Sequence, residues 1–348
     1  MINNLFNKNY HNPIILPEVS GNHSKSLIIS KKIINQVSKC GVKFIKFQTF
    51  DLEEMTFNLK KNIFKIKNKK NMWYGKYYYD LYKKSYVPQS FIKKLFEYSY
   101  QKKLIPFSSV FDLKSLEFLE KINCKLYKIA SFENTDIELI KNVAKTKKPI
   151  IISSGLANKK ELDMSIDILK KYGSNKIVLL KCTSNYPAKY SDLNLKTISD
   201  MKKRYGIKIG FSDHTIGSTA SISAISHGAE VIEKHICLKK GIGIDSKFSL
   251  TIDKLNFFLN DCENSYLSKG NIFYGATQNE KKISKGSRSL FFKTNLKKGT
   301  IIKHSHLKRC RPGFGLKIYK IEKLIGNKLS KNAKFGDPVT AKHFKLKL

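Results

Sequence analysis

The chain has 348 residues, 41% of them apolar and 11% aromatic, enough to bury one large core and too many for a disordered protein. Its formal net charge is +39. The lysines are spread along the whole chain beside abundant Asn, Ile, Tyr and Phe, as A/T-rich codon usage produces, and no helix-turn-helix, zinc-finger or RNA-binding signature accompanies them, so no nucleic-acid partner is expected.

Taken in order, apolar β-branched runs predict strands at residues 14–19, 44–49, 105–109, 126–130, 150–153, 177–182, 208–212 and 231–235. Amphipathic helices are expected between them, at 26–39, 89–102, 113–121, 137–146 and 159–172. Near-continuous apolar strands alternating with helices indicate a parallel sheet covered by helices. Eight such units in one long domain fit a (β/α)8 TIM barrel better than an open doubly wound sheet. No G-x-G-x-x-G follows the first strand, which argues against a dinucleotide site.

The segment 58–86 is longer and more aromatic than its counterparts. As a loop on the catalytic face it is a candidate lid or substrate wall; the competing reading is that its rings merely pack beneath a long loop. Beyond 267 the pattern changes. We expect a barrel domain at 1–267, a polar linker at 268–286, and a small mostly-β domain at 287–348 with turn signals at Lys297-Lys-Gly, Ile325-Gly-Asn and Phe335-Gly-Asp-Pro.

No apolar run is long enough to cross a bilayer, and the chain does not open on a basic stretch followed by an apolar one, so neither membrane nor signal peptide is expected. Six scattered cysteines without a C-x-x-C pair read as reduced thiols of a cytoplasmic protein.

In a barrel of this kind the chemistry sits where strands end. The predicted ends carry Glu18, Asn22 and His23; Lys46 and Gln48; Ser108 and Ser109; Lys128, Ser131 and Glu133; Ser153 and Ser154; Thr183, Ser184 and Tyr186; Ser212, Asp213 and His214; Glu233 and His235. Strand side chains alternate, so Ser212 shares a face with His214, and Glu233 with His235. On neighbouring strands the two imidazoles converge, and such a pair can hold a divalent metal with positions left open for substrate. Lys46 and Lys128 lie inside runs suited to burial. Such a lysine meets either a carboxylate, for which Glu18 is the obvious partner, or an anionic substrate; two lysines among several hydroxyls favour a phosphate.

At these residues the chain resembles the sialic acid synthase family. The motifs that carry the resemblance are Glu18-Val-Ser-Gly-Asn-His23, Lys46-Phe-Gln-Thr49, Tyr127-Lys-Ile-Ala-Ser131, Ser153-Ser-Gly155, Cys182-Thr-Ser-Asn-Tyr-Pro187, Gly210-Phe-Ser-Asp-His-Thr215, Glu233-Lys-His235 and Asp245-Ser-Lys-Phe-Ser249. The tail, with Lys308-Arg-Cys-Arg-Pro-Gly313, resembles the antifreeze-like (SAF) domain that ends these synthases. Ala130-Ser-Phe-Glu-Asn-Thr-Asp136 and Trp73-Tyr-Gly-Lys-Tyr-Tyr-Tyr-Asp-Leu-Tyr82 look like the branch that makes pseudaminic acid.

The resemblance implies condensation of phosphoenolpyruvate with 2,4-diacetamido-2,4,6-trideoxy-β-L-altropyranose. It implies that His214 and His235 bind Mn2+, or Mg2+ or Co2+ in its place, and that both histidines take part in catalysis. Lys46, Gln48, Ser109, Lys128, Ser131, Ser153, Ser184 and Ser212 would then bind phosphoenolpyruvate. Glu18 and Glu133 would handle protons, and Tyr186, Asp245 and Arg311 would contact the sugar. Arg311 would reach the partner subunit's barrel in a domain-swapped homodimer. The alternatives are a sister enzyme making N-acetylneuraminate or legionaminate and, from another class, a non-catalytic sugar- or nucleic-acid-binding protein on a decayed barrel.

Overall fold

A computed structural model describes residues 2–7, 10, 12–69 and 71–345. The chain divides into two compact units, Met1–Gly270 and Asn271–Leu348. In the first, eight parallel strands close on themselves: β1 (Ile14–Glu18), β2 (Phe44–Thr49), β3 (Ile105–Val110), β4 (Tyr127–Ile129), β5 (Ile150–Ser153), β6 (Ile177–Cys182), β7 (Lys208–Asp213) and β8 (Val231–Cys237). Each pairs with the next, and β1 pairs with β8, so no edge is left among them. This is a TIM barrel. Every strand except β2, β3 and β6 is buried at all positions, as expected of strands covered by helices on one face and filled by side chains on the other.

Several helices begin where the sequence offers a cap. Ser26, Asp112, Asp136 and Asn158 each accept a backbone N–H at the first turn of helices Leu27–Lys39, Leu113–Lys121, Ile137–Lys145 and Lys159–Lys171. Strand alternation also disposes of two buried charges that take no part in the mouth. Asp213 and Lys234 form a 2.9 Å ion pair, and the same carboxylate accepts from the Thr215 amide and hydroxyl at 2.8 Å and from Ser221 Oγ at 2.6 Å. That network fixes the turn bearing His214.

In the second unit Ser289–Phe292 pairs antiparallel with Leu307–Cys310, and three isolated bridges, Phe291 with Pro338, Leu296 with Ala333 and Ile301 with Lys328, extend the contact. Regular strand is therefore sparser than the turn signals suggested, and single bridges carry much of the β character. Its own small core gathers Leu290, Phe292, Ile302, Leu324 and Val339. Within the span expected as a linker, Gln278–Ile283 is helical. None of the six cysteines is paired, and among the described residues no helix is long and apolar enough to cross a membrane.

Candidate active site

The barrel mouth opens into a cavity of about 500 Å³. Its floor is charged because register places the polar strand ends side by side. Glu18 lies opposite Lys46, Ser109 opposite Lys128, Ser212 opposite Glu233, and Glu18 again opposite His235. Residues in register on parallel strands share a face, so these side chains all enter the same space.

At the centre stands Glu233. Lys46 Nζ is 2.9 Å from its Oε2 and 2.9 Å from Glu18 Oε2, Lys128 Nζ is 3.5 Å from its Oε1, and Ser212 Oγ donates to that oxygen at 2.8 Å. Gln48 Nε2 donates to Glu18 Oε1 at 2.7 Å, and Lys46 donates to Ser109 Oγ at 3.3 Å. Burial by itself would raise the Glu233 pKa, but the Lys128 and Lys46 ammonium groups outweigh it and hold the carboxyl well below its usual range. Glu18 is likewise lowered: burial opposes ionisation, and Lys46 and His235 overcome it. For Lys46 burial is overcome by the two carboxylates, and its pKa rises; for Lys128 burial wins, and its pKa falls.

The sequence offered two fates for Lys46, a carboxylate partner or an anion site, and both are consistent with what is seen. The Glu18 pair is present, and the surroundings still hold unused donors. The hydroxyls of Ser153 and Ser184 are buried without a partner. Gly155 leaves room beside them: a Cβ there would stand 2.4 Å from Ser184 Oγ and 2.6 Å from Ser131 Oγ. Two ammonium groups with idle hydroxyls around a bare backbone form a pocket for an anion.

The two imidazoles meet at the rim, with ring centroids 5.3 Å apart. His214 Nδ1 is 2.9 Å from the Thr183 carbonyl, which places its proton there and leaves the Nε2 lone pair facing Ser212 Oγ at 3.4 Å. His235 Nε2 is 3.3 Å from Glu18 Oε2, while its Nδ1 is buried without a hydrogen bond, 3.8 Å from Asp245 Oδ2. Among the described residues no three or more His, Cys, Asp or Glu side chains form a metal-holding group. Two neighbouring imidazoles, one with Nε2 held only by a 3.4 Å contact to Ser212 Oγ and the other with Nδ1 unpaired, nevertheless suit a divalent ion that completes its shell with substrate oxygen and water.

Around this floor stand the remaining residues. Tyr186 lies 4.3 Å from His214 ring to ring, and Asp245 accepts from Ser20 Oγ at 2.5 Å. Ser131 lines the cavity, as does Glu133, whose pKa burial raises to about 7 against the opposing charge of Lys128. Burial likewise lowers the His23 pKa to about 4, helped by Lys25, and the ring packs on Phe91 rather than entering the mouth. Ser108 turns outward to Thr49 Oγ1 at 2.8 Å. Arg311 belongs to the second unit and is exposed there.

Glu233 was expected on the His235 face without a role of its own; the register sets it opposite Ser212. Cys182, not among the expected site residues, lines the cavity with its sulfur 3.8 Å from His214 Nδ1.

Fold and site together define an α/β-barrel enzyme whose mouth sets two lysines and several hydroxyls among carboxylates, suited to a phosphorylated or carboxylated substrate. The chain belongs to the NeuB family, whose model matches residues 33–274. It is 37% identical to a pseudaminic acid synthase of Helicobacter pylori, across 94% of this chain and 97% of that one. It is 36% identical to a pseudaminic acid synthase of Campylobacter jejuni, across 93% and 94%. Among solved structures, an N-acetylneuraminic acid synthetase of Leptospira borgpetersenii in complex with citrate superposes with a TM-score of 0.68 at 28% identity, over 78% of this chain and 90% of that one.

Proposed function

We infer that the chain condenses phosphoenolpyruvate with 2,4-diacetamido-2,4,6-trideoxy-β-L-altropyranose, releasing phosphate and pseudaminic acid. The observation that carries the reading is the Lys46–Glu233–Lys128 cluster beside the idle hydroxyls of Ser153 and Ser184, on a chain 36–37% identical to curated pseudaminic acid synthases. The ammonium groups and the serines at 131, 153, 184 and 212 hold the phosphate and carboxylate of phosphoenolpyruvate. This places the enol C3 towards the rim. There it attacks the aldehyde carbon of the open-chain sugar; water adds at C2, and phosphate leaves with cleavage of its C–O bond. Glu18 and Glu133 handle the protons, and Tyr186 and Asp245 hold the sugar. A divalent ion on His214 and His235, Mn2+ or else Mg2+ or Co2+, would supply polarisation of the aldehyde oxygen.

Mass analysis of the products formed from phosphoenolpyruvate and each candidate hexosamine tests this. The altrose-derived sugar is expected to give the dominant product; a dominant neuraminate or legionaminate would reassign the enzyme to a sister branch. Gly155→Ala adds a methyl where Ser131 and Ser184 leave no space. It is expected to lower kcat/KM for phosphoenolpyruvate on the order of 100-fold, with the loss in KM for phosphoenolpyruvate and not for the sugar.

The second unit is assigned as an antifreeze-like SAF module over 287–348, and the enzyme as a domain-swapped homodimer in which Arg311 reaches the sugar in the partner's barrel. The absence of a membrane-spanning helix among the described residues and the unpaired cysteines support a cytoplasmic location. Mixing a His214→Ala chain with an Arg311→Ala chain is expected to restore activity in heterodimers, each of which keeps one intact composite site. No recovery after subunit exchange would rule out the swap.

A further inference from the structure

The long segment after β2 is a fixed roof across the mouth. It leaves β2 at Phe50, whose ring packs on Tyr82, Tyr86 and Phe111 at 5.9–6.2 Å. It then tightens into a hairpin: Lys65 bridges Tyr77, the Ile66 amide donates to the Lys76 carbonyl at 2.9 Å, and the Gly75 amide donates back to Ile66 at 2.9 Å. Trp73, at the hairpin turn, lies 5.9 Å from Tyr186, which follows β6. In the closed ring of eight, β6 is diametrically opposite β2. The segment therefore reaches from β2 to the loop after β6, across the cavity from the charged floor.

The two surfaces differ in chemistry. The floor is ionic, whereas the roof offers the cavity Phe50, Met55, Ile66, Trp73 and Leu81 beside the polar groups of Asn71, Tyr78, Tyr82 and Ser85. Ile66 and Leu81 are each only 6% exposed, held by the hairpin and by helix Tyr78–Ser85. A sugar hydroxyl against the aliphatic side chains of Met55, Ile66 and Leu81 would lose its water without gaining a partner from them, and a methyl group would not. We propose that Met55, Ile66 and Leu81 form an apolar subsite within this roof that selects hexosamines with a methyl in place of the C6 hydroxymethyl group, with Ile66 as its specificity-determining residue and Trp73 as its cover. The proposal rests on the condensation reading above and adds the basis of choice at one carbon.

Trp73 is the only tryptophan in the chain, so its emission reports occupancy of the roof directly. Two probes suffice: the 2,4-diacetamido-2,4,6-trideoxyhexose and the same sugar bearing a C6 hydroxyl. The 6-deoxy sugar is expected to shift Trp73 emission and to bind about 10–100-fold more tightly than its hydroxylated counterpart, the range that a hydrophobic pocket gives to such a difference. In turnover the same ratio should appear in kcat/KM. Ile66→Thr, which puts a hydroxyl into the wall, should shrink that ratio roughly tenfold through KM for the sugar while leaving KM for phosphoenolpyruvate unchanged. Equal binding of the two sugars by the wild-type enzyme, or emission unmoved by a sugar that is turned over, overturns the proposal. If neither sugar condenses, the reaction assignment fails, and the emission titration still decides the roof.

Discussion

Replacing Glu233 with glutamine is expected to destabilise the barrel on the order of 3–5 kcal/mol and to lower kcat/KM on the order of 100- to 1,000-fold. The side chain hardly changes in size, so the loss comes from charge. Lys46 and Lys128 are each 2% exposed, and Glu233 is the carboxylate they share. With an amide there, Glu18 remains for Lys46, but Lys128 loses its nearest counter-ion and faces a like charge. A thermal melt should fall by roughly 10 °C. The double variant Glu233→Gln with Lys128→Met separates the two effects. Removing the stranded ammonium should recover much of the melting temperature, yet activity should stay low because the anion has lost a donor. An unchanged melt in the single variant would mean that the buried ammonium groups do not depend on this carboxylate.

Glu133→Gln is expected to act on the pH profile. Burial raises this carboxyl from 4.5 to about 7, so near neutrality it is poised to give or take a proton, and one of its oxygens is buried without a partner. The wild-type kcat should show a limb near pH 7 that the glutamine variant lacks, with a loss on the order of 100- to 10,000-fold at the optimum. Stability carries the opposite sign. The folded protein binds this proton more tightly than the unfolded chain, so ionisation costs the fold nothing below pH 4.5, increasingly more as pH rises towards 7, and a constant amount above it. That constant is on the order of 3 kcal/mol. Glu133→Gln should therefore melt higher than wild type at pH 8 and about equally at pH 4. A limb near 7 that survives in the variant would assign the titration to another group.

Much of the barrel was legible in the chain because its strands are short, apolar and β-branched, and their ends are polar. Residues 44–49, 150–153 and 177–182 appear as strands at the expected bounds, and 113–121 as a helix. The segment 58–86 was read as either a substrate wall or rings packed beneath a loop; its rings do pack, and some of its residues line the cavity. Phe50 anchors the packing while Ile66 and Trp73 face the cavity. Glu233 stood among the polar strand ends, but its place as the shared partner of two lysines was not legible, because it depends on which neighbours the register brings to it. In the second unit the turn signals were real, but what they separate is mostly single bridges and 3-10 turns, which leave little trace in hydrophobic alternation.

The sequence by itself determined the class of fold, the polar strand ends and the two histidines with their shared faces, because alternation along a strand is a local property written every second residue. Only the tertiary structure decided that two ammonium groups share one carboxylate, that Ser153 and Ser184 are left without partners, and that a loop from β2 reaches Tyr186 in the loop after β6. These facts depend on closure of the sheet and on cross-strand register. Both are set by the packing of residues far apart along the chain, so no local pattern encodes them.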